Sequence, residues 1–168
     1  MAQTPNIRTF QPADAATVRD LFSHGLLDFA MGFEEPMREY IRHSLADDLA
    51  DISASYFKEP GGHFWVAEID GQIKGIVGIQ RRTREEAELR RMSVAADSRR
   101  HGIGGKLLET AEAFCWEKGY QRIRLTTVSL LQSAIALYRK HGYQQAGEER
   151  YGQVMGLHFV KRLTDHRC

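Results

Sequence analysis

The chain has 168 residues and a mass of 19.1 kDa, the size of one ordinary domain, so a single domain is expected over residues 1–168. Hydrophobic residues make up 42% and charged residues 27%, which excludes a disordered chain and suits a core that needs no disulfide or metal staple. Lys and Arg number 23 against 22 Asp and Glu, and the formal charge of +1 supplies no global field to draw nucleic acid or anionic lipid.

Ile7-Arg8-Thr9-Phe10 alternates like a short strand, and Pro12-Ala13-Asp14 offers a turn with an N-cap before Val18, Leu21 and Phe22 at helical spacing. A loop from Phe29 to Pro36 carries Phe33, Glu34 and Glu35. From Pro36 the apolar residues recur at helical spacing through Phe57, arguing one or two amphipathic helices ended by Pro60-Gly61-Gly62. His63 to Ile69 is rich in strand formers, Asp70-Gly71 is a type I′ hairpin signal, and Ile73 to Gln80 resumes the apolar pattern. The next strand, Ala87 to Val94, alternates, which puts Glu88, Arg90, Met92 and Val94 on one face and Leu89, Arg91 and Ser93 on the other.

After a polar, glycine-containing turn, Leu107, Leu108, Ala111 and Phe114 mark a helix that stops at Gly119. Arg122 to Val128 reads as a strand, Ala134 to His141 as a short helix ended by Gly142, and Tyr143 to Glu149 and Leu157 to Leu163 as the last strands. The order predicts a mixed α/β domain of the α+β type. Its centre is a mostly antiparallel sheet of about seven strands flanked by helices, with parallel pairing where strand, helix and strand alternate.

Met1 to Arg8 lacks the basic flank and apolar run of a signal peptide, and no stretch approaches the roughly 18 apolar residues of a membrane helix. Cys115 and Cys168 make neither a metal spacing nor a disulfide framework, and no His spacing suggests a metal. A cytoplasmic protein with no metal is expected, acting without nucleic acid or membrane as a monomer or homodimer.

The richest segment is Met92-Ser93-Val94, followed by Arg99-Arg100-His101-Gly102-Ile103-Gly104-Gly105-Lys106 and an apolar helix. A strand that runs into a glycine-rich loop and then a helix presents unpaired backbone N–H groups, a ready anion site. Gly102 and Gly104 let that backbone approach a ligand, and Arg99 and Arg100 add positive charge suited to a pyrophosphate. Two commoner phosphate motifs fail here, because Leu107 stands where a Walker loop needs Ser or Thr and where a dinucleotide fingerprint needs its third Gly.

Downstream lies Ser133-Ala134-Ile135-Ala136-Leu137-Tyr138-Arg139-Lys140-His141-Gly142-Tyr143. With this second block, the chain resembles the GNAT superfamily of acyl-coenzyme A-dependent N-acetyltransferases. Arg-x-x-Gly-x-Gly over Arg99 to Gly104 is similar to that family's pyrophosphate signature, and Ala-x-x-Leu-Tyr with a following Gly-Tyr is similar to its second block. The resemblance implies the GNAT fold and acetyl transfer from acetyl-coenzyme A to a primary amine of a small molecule or protein. It also implies that the backbone of Met92, Ser93 and Val94 holds the pantetheine arm, that Arg99 to Lys106 hold the phosphates, and that Tyr138 protonates the departing thiolate.

The chemistry asks for the same parts. Acyl transfer from a thioester needs a neutral amine, hence a base, and a donor for the leaving sulfur. Glu88 is the preferred base, with a surface carboxylate paired to Arg90 or Arg122 as its other reading. Tyr138 could instead be a core aromatic. Relatives often place an acid in the next strand, where this chain has Leu125-Thr126-Thr127, and an Asn where it has Leu131. Those departures leave open a non-catalytic coenzyme A-binding module. Cys115 reads as packing, His101 as a phosphate or surface ligand, and Arg81, Arg82 and Arg84 as a solvated edge. The acceptor would be shaped by the Phe29 to Pro36 loop, the Tyr151-Gly152-Gln153 loop and the Glu88 face, with Glu34 and Glu35 favouring a cation.

Overall fold

A computed structural model describes residues 4–163, and Cys168 lies outside them. Strand β1 (Asn6–Thr9) leads through a 3-10 turn into helix α1 (Ala15–Leu27), and Asp14 closes that turn by accepting the Gln11 N–H at 2.8 Å. Helix α2 (Glu34–Ala46) starts before Pro36. Glu34 and Glu35 occupy its first turn, where carboxylates complement the helix dipole and a proline without an N–H is tolerated, so the preceding loop is shorter than the sequence suggests. Helix α3 (Ile52–Phe57) is capped by Asp51, which accepts the Ala54 N–H at 3.0 Å.

Strands β2 (His63–Ile69) and β3 (Gln72–Arg81) form the expected hairpin, with Asp70 at φ 52° and Gly71 at φ 76° supplying the left-handed pair that a type I′ turn requires. Then come β4 (Glu86–Val94), α4 (Ile103–Glu117), β5 (Arg122–Val128), α5 (Gln132–Lys140), β6 (Gln144–Tyr151) and β7 (Val154–Arg162). They make one seven-stranded sheet in the order β1-β2-β3-β4-β5-β7-β6. Among the described residues only β4 and β5 pair in parallel. Helices α1–α3 bury Phe64, Val66 and Ile76 on one side of the sheet. Helices α4 and α5 bury Val77, Leu89, Leu125 and Phe159 on the other. Among the described residues no helix is long and apolar enough to cross a membrane.

Strand β4 breaks the alternation that its sequence suggests. Ile76 of β3 faces Ser93 and Gly78 faces Arg90, so Val77 alone is opposed by both Arg91 and Met92, and Arg91 takes φ 60°. This is a β-bulge, which bends its strand and resets the facing of every later residue. Met92 and Val94 accordingly pack with Ala87 and Leu89 on the α4 side. Arg91 instead meets α2, and Ser93 lies against Gly25 of α1. Glu88 therefore does not share a face with Met92 and Val94, as strict alternation implied. It shares one with Arg90 and, past the bulge, with Ser93.

Candidate active site

The bulge coincides with a parting of the sheet. Strands β4 and β5 pair only over Glu86–Leu89 and Arg122–Leu125, while β4 stays with β3 as far as Val94 and β5 stays with β7 as far as Val128. The facing edges beyond Leu89 and Leu125 thus present backbone groups that the sheet ladder does not use, which an extended ligand can pair with as a strand would. Met92, Ser93 and Val94 line one of these edges. The Val94 carbonyl already accepts Arg99 Nε at 3.1 Å.

At the end of this cleft the chain turns into α4. Arg100 and Gly102 both have positive φ, 68° and 79°, and their left-handed geometry curls the loop under the helix start. Lys106 N–H closes the first intrahelical bond on the Gly102 carbonyl at 3.1 Å. The first-turn amides of Ile103, Gly104 and Gly105 are left pointing out of the helix end, with no side-chain cap, as an anion would need. Ile103 contributes only backbone, since its side chain is buried in the core. Arg100, His101 and Lys106 are exposed.

Two residues of this segment do something other than the sequence suggests. Arg99 acts as a brace: besides Val94, it reaches Asp28 at 3.2 Å and lies 4.5 Å over the Phe29 ring, tying the α1–α2 connection to the loop. Gly104 needs no positive φ. A Cβ there would sit 3.0 Å from Leu137 Cδ2, so its smallness serves the close packing of α4 on α5.

Tyr138 projects from α5 into the core beside Tyr143 and Phe159, with ring centroids 5.9 and 6.4 Å away. Burial pushes its phenol above the ordinary value and the nearby Tyr40 adds to this, so the hydroxyl keeps its proton at neutral pH. Glu88 is partly exposed and sits near two guanidiniums, Arg82 at 3.7 Å and Arg90 at 3.9 Å. Arg122 pairs with Glu86 instead, at 2.6 Å. Cys115 is fully buried, and burial pushes its thiol up to about 12, in keeping with a packing role.

The polar network around Arg91 is not visible in the sequence. This buried guanidinium donates to both Asp48 oxygens, from Nε at 3.0 Å and from Nη2 at 2.5 Å, and to Ser44 Oγ at 2.9 Å and the Tyr40 hydroxyl at 3.2 Å. Tyr56 also donates to Asp48, and the Phe22 ring lies 5.2 Å from the guanidinium. Burial by itself would raise the Asp48 carboxyl, but Arg91 and Tyr56 more than reverse that and hold it below the ordinary range. Arg91 thereby ties the bulge of β4 to α2 and its half-exposed Tyr40. The only sequence signal was a second arginine where an alternating strand calls for an apolar residue.

Residues 26–143 match the model of the acetyltransferase (GNAT) family. N-acetyltransferase 8 of Rattus norvegicus is 38% identical over 119 residues, covering 68% of this chain and 54% of that protein. N-acetyltransferase 8 of Homo sapiens is 33% identical over 135 residues, covering 76% of this chain and 60% of that protein. The chain thus matches between 54% and 60% of the length of these curated relatives. Among solved structures, a GNAT-family acetyltransferase of Staphylococcus aureus superposes with a TM-score of 0.80 at 22% identity, over 96% of this chain and all of that one. The PaiA N-acetyltransferase of Thermoplasma acidophilum, solved with coenzyme A, superposes with a TM-score of 0.75 at 20% identity, over 93% of this chain and 98% of that one.

Proposed function

Because the chain belongs to the GNAT acetyltransferase family, we propose that it moves an acetyl group from acetyl-coenzyme A to a primary amine by direct attack within a ternary complex. One observation carries the reading. The parting of β4 and β5 ends at the uncapped first turn of α4, so one cleft offers unused strand edges for an extended arm and free amides for the phosphates at its end. In this reading Met92, Ser93 and Val94 hold the pantetheine arm through their backbone. The loop from Arg99 to Lys106 holds the phosphates, Arg100, His101 and Lys106 through exposed side chains and Gly102, Ile103, Gly104 and Gly105 through the main chain. Bound acetyl-coenzyme A supplies a thioester carbonyl to the attacking nitrogen.

The chain's own groups handle the protons. Tyr138 keeps its hydroxyl hydrogen and donates it to the departing sulfur. Glu88, on the α1–α3 side of β4, takes a proton from the nitrogen directly or through one water. Arg91 fixes the bulge that separates these duties, sending Met92 and Val94 toward α4 and Glu88 toward the opposite side. Among the described residues the buried thiol is that of Cys115, held protonated inside the core and so unable to carry the acyl group.

A screen of amines with acetyl-coenzyme A, following thiol release and the product's mass, tests the reading. A product heavier by one acetyl group is expected with at least one amine class. Tight coenzyme A binding without thiol release from any amine would replace the enzyme with a coenzyme A-binding module. An unchanged melting temperature in millimolar coenzyme A would remove both, since a ligand at one hundred times its dissociation constant stabilises by about 2.7 kcal/mol.

A further inference from the structure

Resting on the acetyl-transfer reading, we propose that His158 of β7 takes the proton of the incoming ammonium, held in position by Thr126 and backed by Glu149. An acceptor amine reaches neutral water mostly as R–NH3+, with no lone pair to attack with. Turning that ammonium into an amide removes two protons from nitrogen, so Glu88 does not by itself account for both.

The face of the sheet that bears Glu88 continues past the parting onto β5, β7 and β6. Thr126 directly follows Leu125, the last β5 residue paired with β4, and therefore stands where the cleft opens. Across the ladder Thr126 faces His158, and its Oγ1 lies 2.8 Å from His158 Nδ1. On the other flank, His158 Nε2 lies 3.6 Å from Glu149 Oε2, and Tyr151 donates to that same oxygen at 3.0 Å. Gly156 gives this array its room: the Tyr151 ring lies over it, where a Cβ would come within 2.4 Å of the ring.

With its hydrogen on Nδ1, His158 donates to Thr126 Oγ1 and keeps a lone pair on Nε2. An N–H bond of the ammonium then breaks as Nε2–H forms, which leaves a neutral R–NH2 and an imidazolium beside the Glu149 carboxylate. Glu149 is exposed, so the proton passes from there to water. Glu88 is left the second proton, released once the new C–N bond exists. Histidine suits the first transfer because its charge ordinarily changes between about pH 5 and 8.

The other charged group on this part of the face is Arg124, the same-side neighbour of Thr126 on β5, and its guanidinium turns to Glu86 at 4.0 Å. Along β7 the same-side neighbours of His158 are Gly156 and Val160, which carry no charge. From α2, Tyr40 adds to the upward shift of the Tyr151 phenol, after burial and the bond to Glu149.

The test follows kcat/KM against pH for His158→Gln, Thr126→Val and the wild type, using the best amine of the acceptor screen. His158→Gln is expected to lose about 10–100-fold near pH 7, within and below the usual general-base range. The deficit should close as the pH rises past the acceptor's own pKa, because a neutral amine no longer needs the imidazole. Thr126→Val should show a smaller deficit of the same shape, and both variants should keep the wild-type melting-temperature shift with coenzyme A. A deficit that stays constant with pH assigns His158 a structural role and overturns the proposal, as does an unchanged profile. A variant that no longer binds coenzyme A also overturns the assignment, since the defect then lies in the fold or the cofactor cleft. If the wild type releases thiol with no amine at all, the acetyl-transfer reading falls first and the proposal falls with it.

Discussion

The two sides of the parted strands are made of different material. On the α4 side the cleft is lined by backbone: the freed edge of β4, the left-handed Gly102 and the first-turn amides of α4. On the α1–α3 side it is lined by side chains from distant elements, Tyr40 of α2, Glu88 and Arg91 of β4, Thr126 of β5 and His158 of β7. A main-chain site binds whatever fits its curvature and charge and can be written in a short contiguous stretch. A side-chain site depends on how strands far apart in sequence come into register.

Arg91→Met tests that difference hardest, because it cuts the tie between the bulge of β4 and α2. Removing one member of a buried ion pair costs about 3–5 kcal/mol, read as a lower denaturant midpoint, since the partner's charge is left unpaired. The sign of its pH dependence follows from Asp48. In the wild type this carboxyl is held below 3.8, so its contribution is present above that value and lost as the pH falls through the lower folded value. Without Arg91, burial acts on Asp48 with less opposition and favours the neutral acid. The gap between variant and wild type should therefore narrow on acidification from about pH 6 toward 3. A gap that does not depend on pH would show that the guanidinium stabilises by packing between Phe22 and Tyr40, not by pairing with Asp48.

Tyr138→Phe comes next. It should keep coenzyme A affinity and cut turnover by about 10–1000-fold, the range of a lost general acid and somewhat below it. An unchanged rate in a chemistry-limited enzyme would hand the thiolate's proton to solvent. Loss of folding would make Tyr138 only the core aromatic that its contacts with Tyr143 and Phe159 also allow. Glu88→Gln should have a smaller effect, about 10–100-fold in kcat/KM with coenzyme A binding intact. A rise in KM with kcat preserved would instead mark Glu88 as an anchor for a cationic acceptor.

These outcomes bear on how far the sequence could be read. The hairpin at Asp70-Gly71, the strand order and the glycine loop were legible because each is set by residues adjacent in the chain. The facing of Glu88 was not, because one extra residue at Arg91 resets the phase and no hydrophobic period announces it. The start of α2 was misplaced for a similar reason: proline marks a first turn without saying which position of it. The smallness of Gly104 suggests room for a phosphate, yet a Cβ there would meet Leu137, some thirty positions later in sequence. Asp48 and His158 gave no sequence signal, since their partners lie on other elements.

The smallest expected effect separates charge from backbone within the glycine loop. Gly102→Ala keeps every charge, and no neighbouring atom lies within 4 Å of the new methyl, so only the strain of a side chain at φ 79° is added, about 1–2 kcal/mol. Arg100→Gly does the reverse: it relieves a non-glycine residue at φ 68° and deletes a guanidinium. If the main chain holds the phosphates, Gly102→Ala should weaken coenzyme A binding several-fold, by an amount that salt does not change, because strain is not screened. Arg100→Gly should then cost only about 0.3–1 kcal/mol of binding at low ionic strength, as for an exposed ionic contact, and most of that should vanish in about 0.5 M salt. Isothermal titration of both variants with coenzyme A at two salt concentrations reads the two contributions separately. If Arg100→Gly proves the more damaging at high salt, the phosphate site consists of side chains after all, and the contrast between the two sides of the cleft disappears.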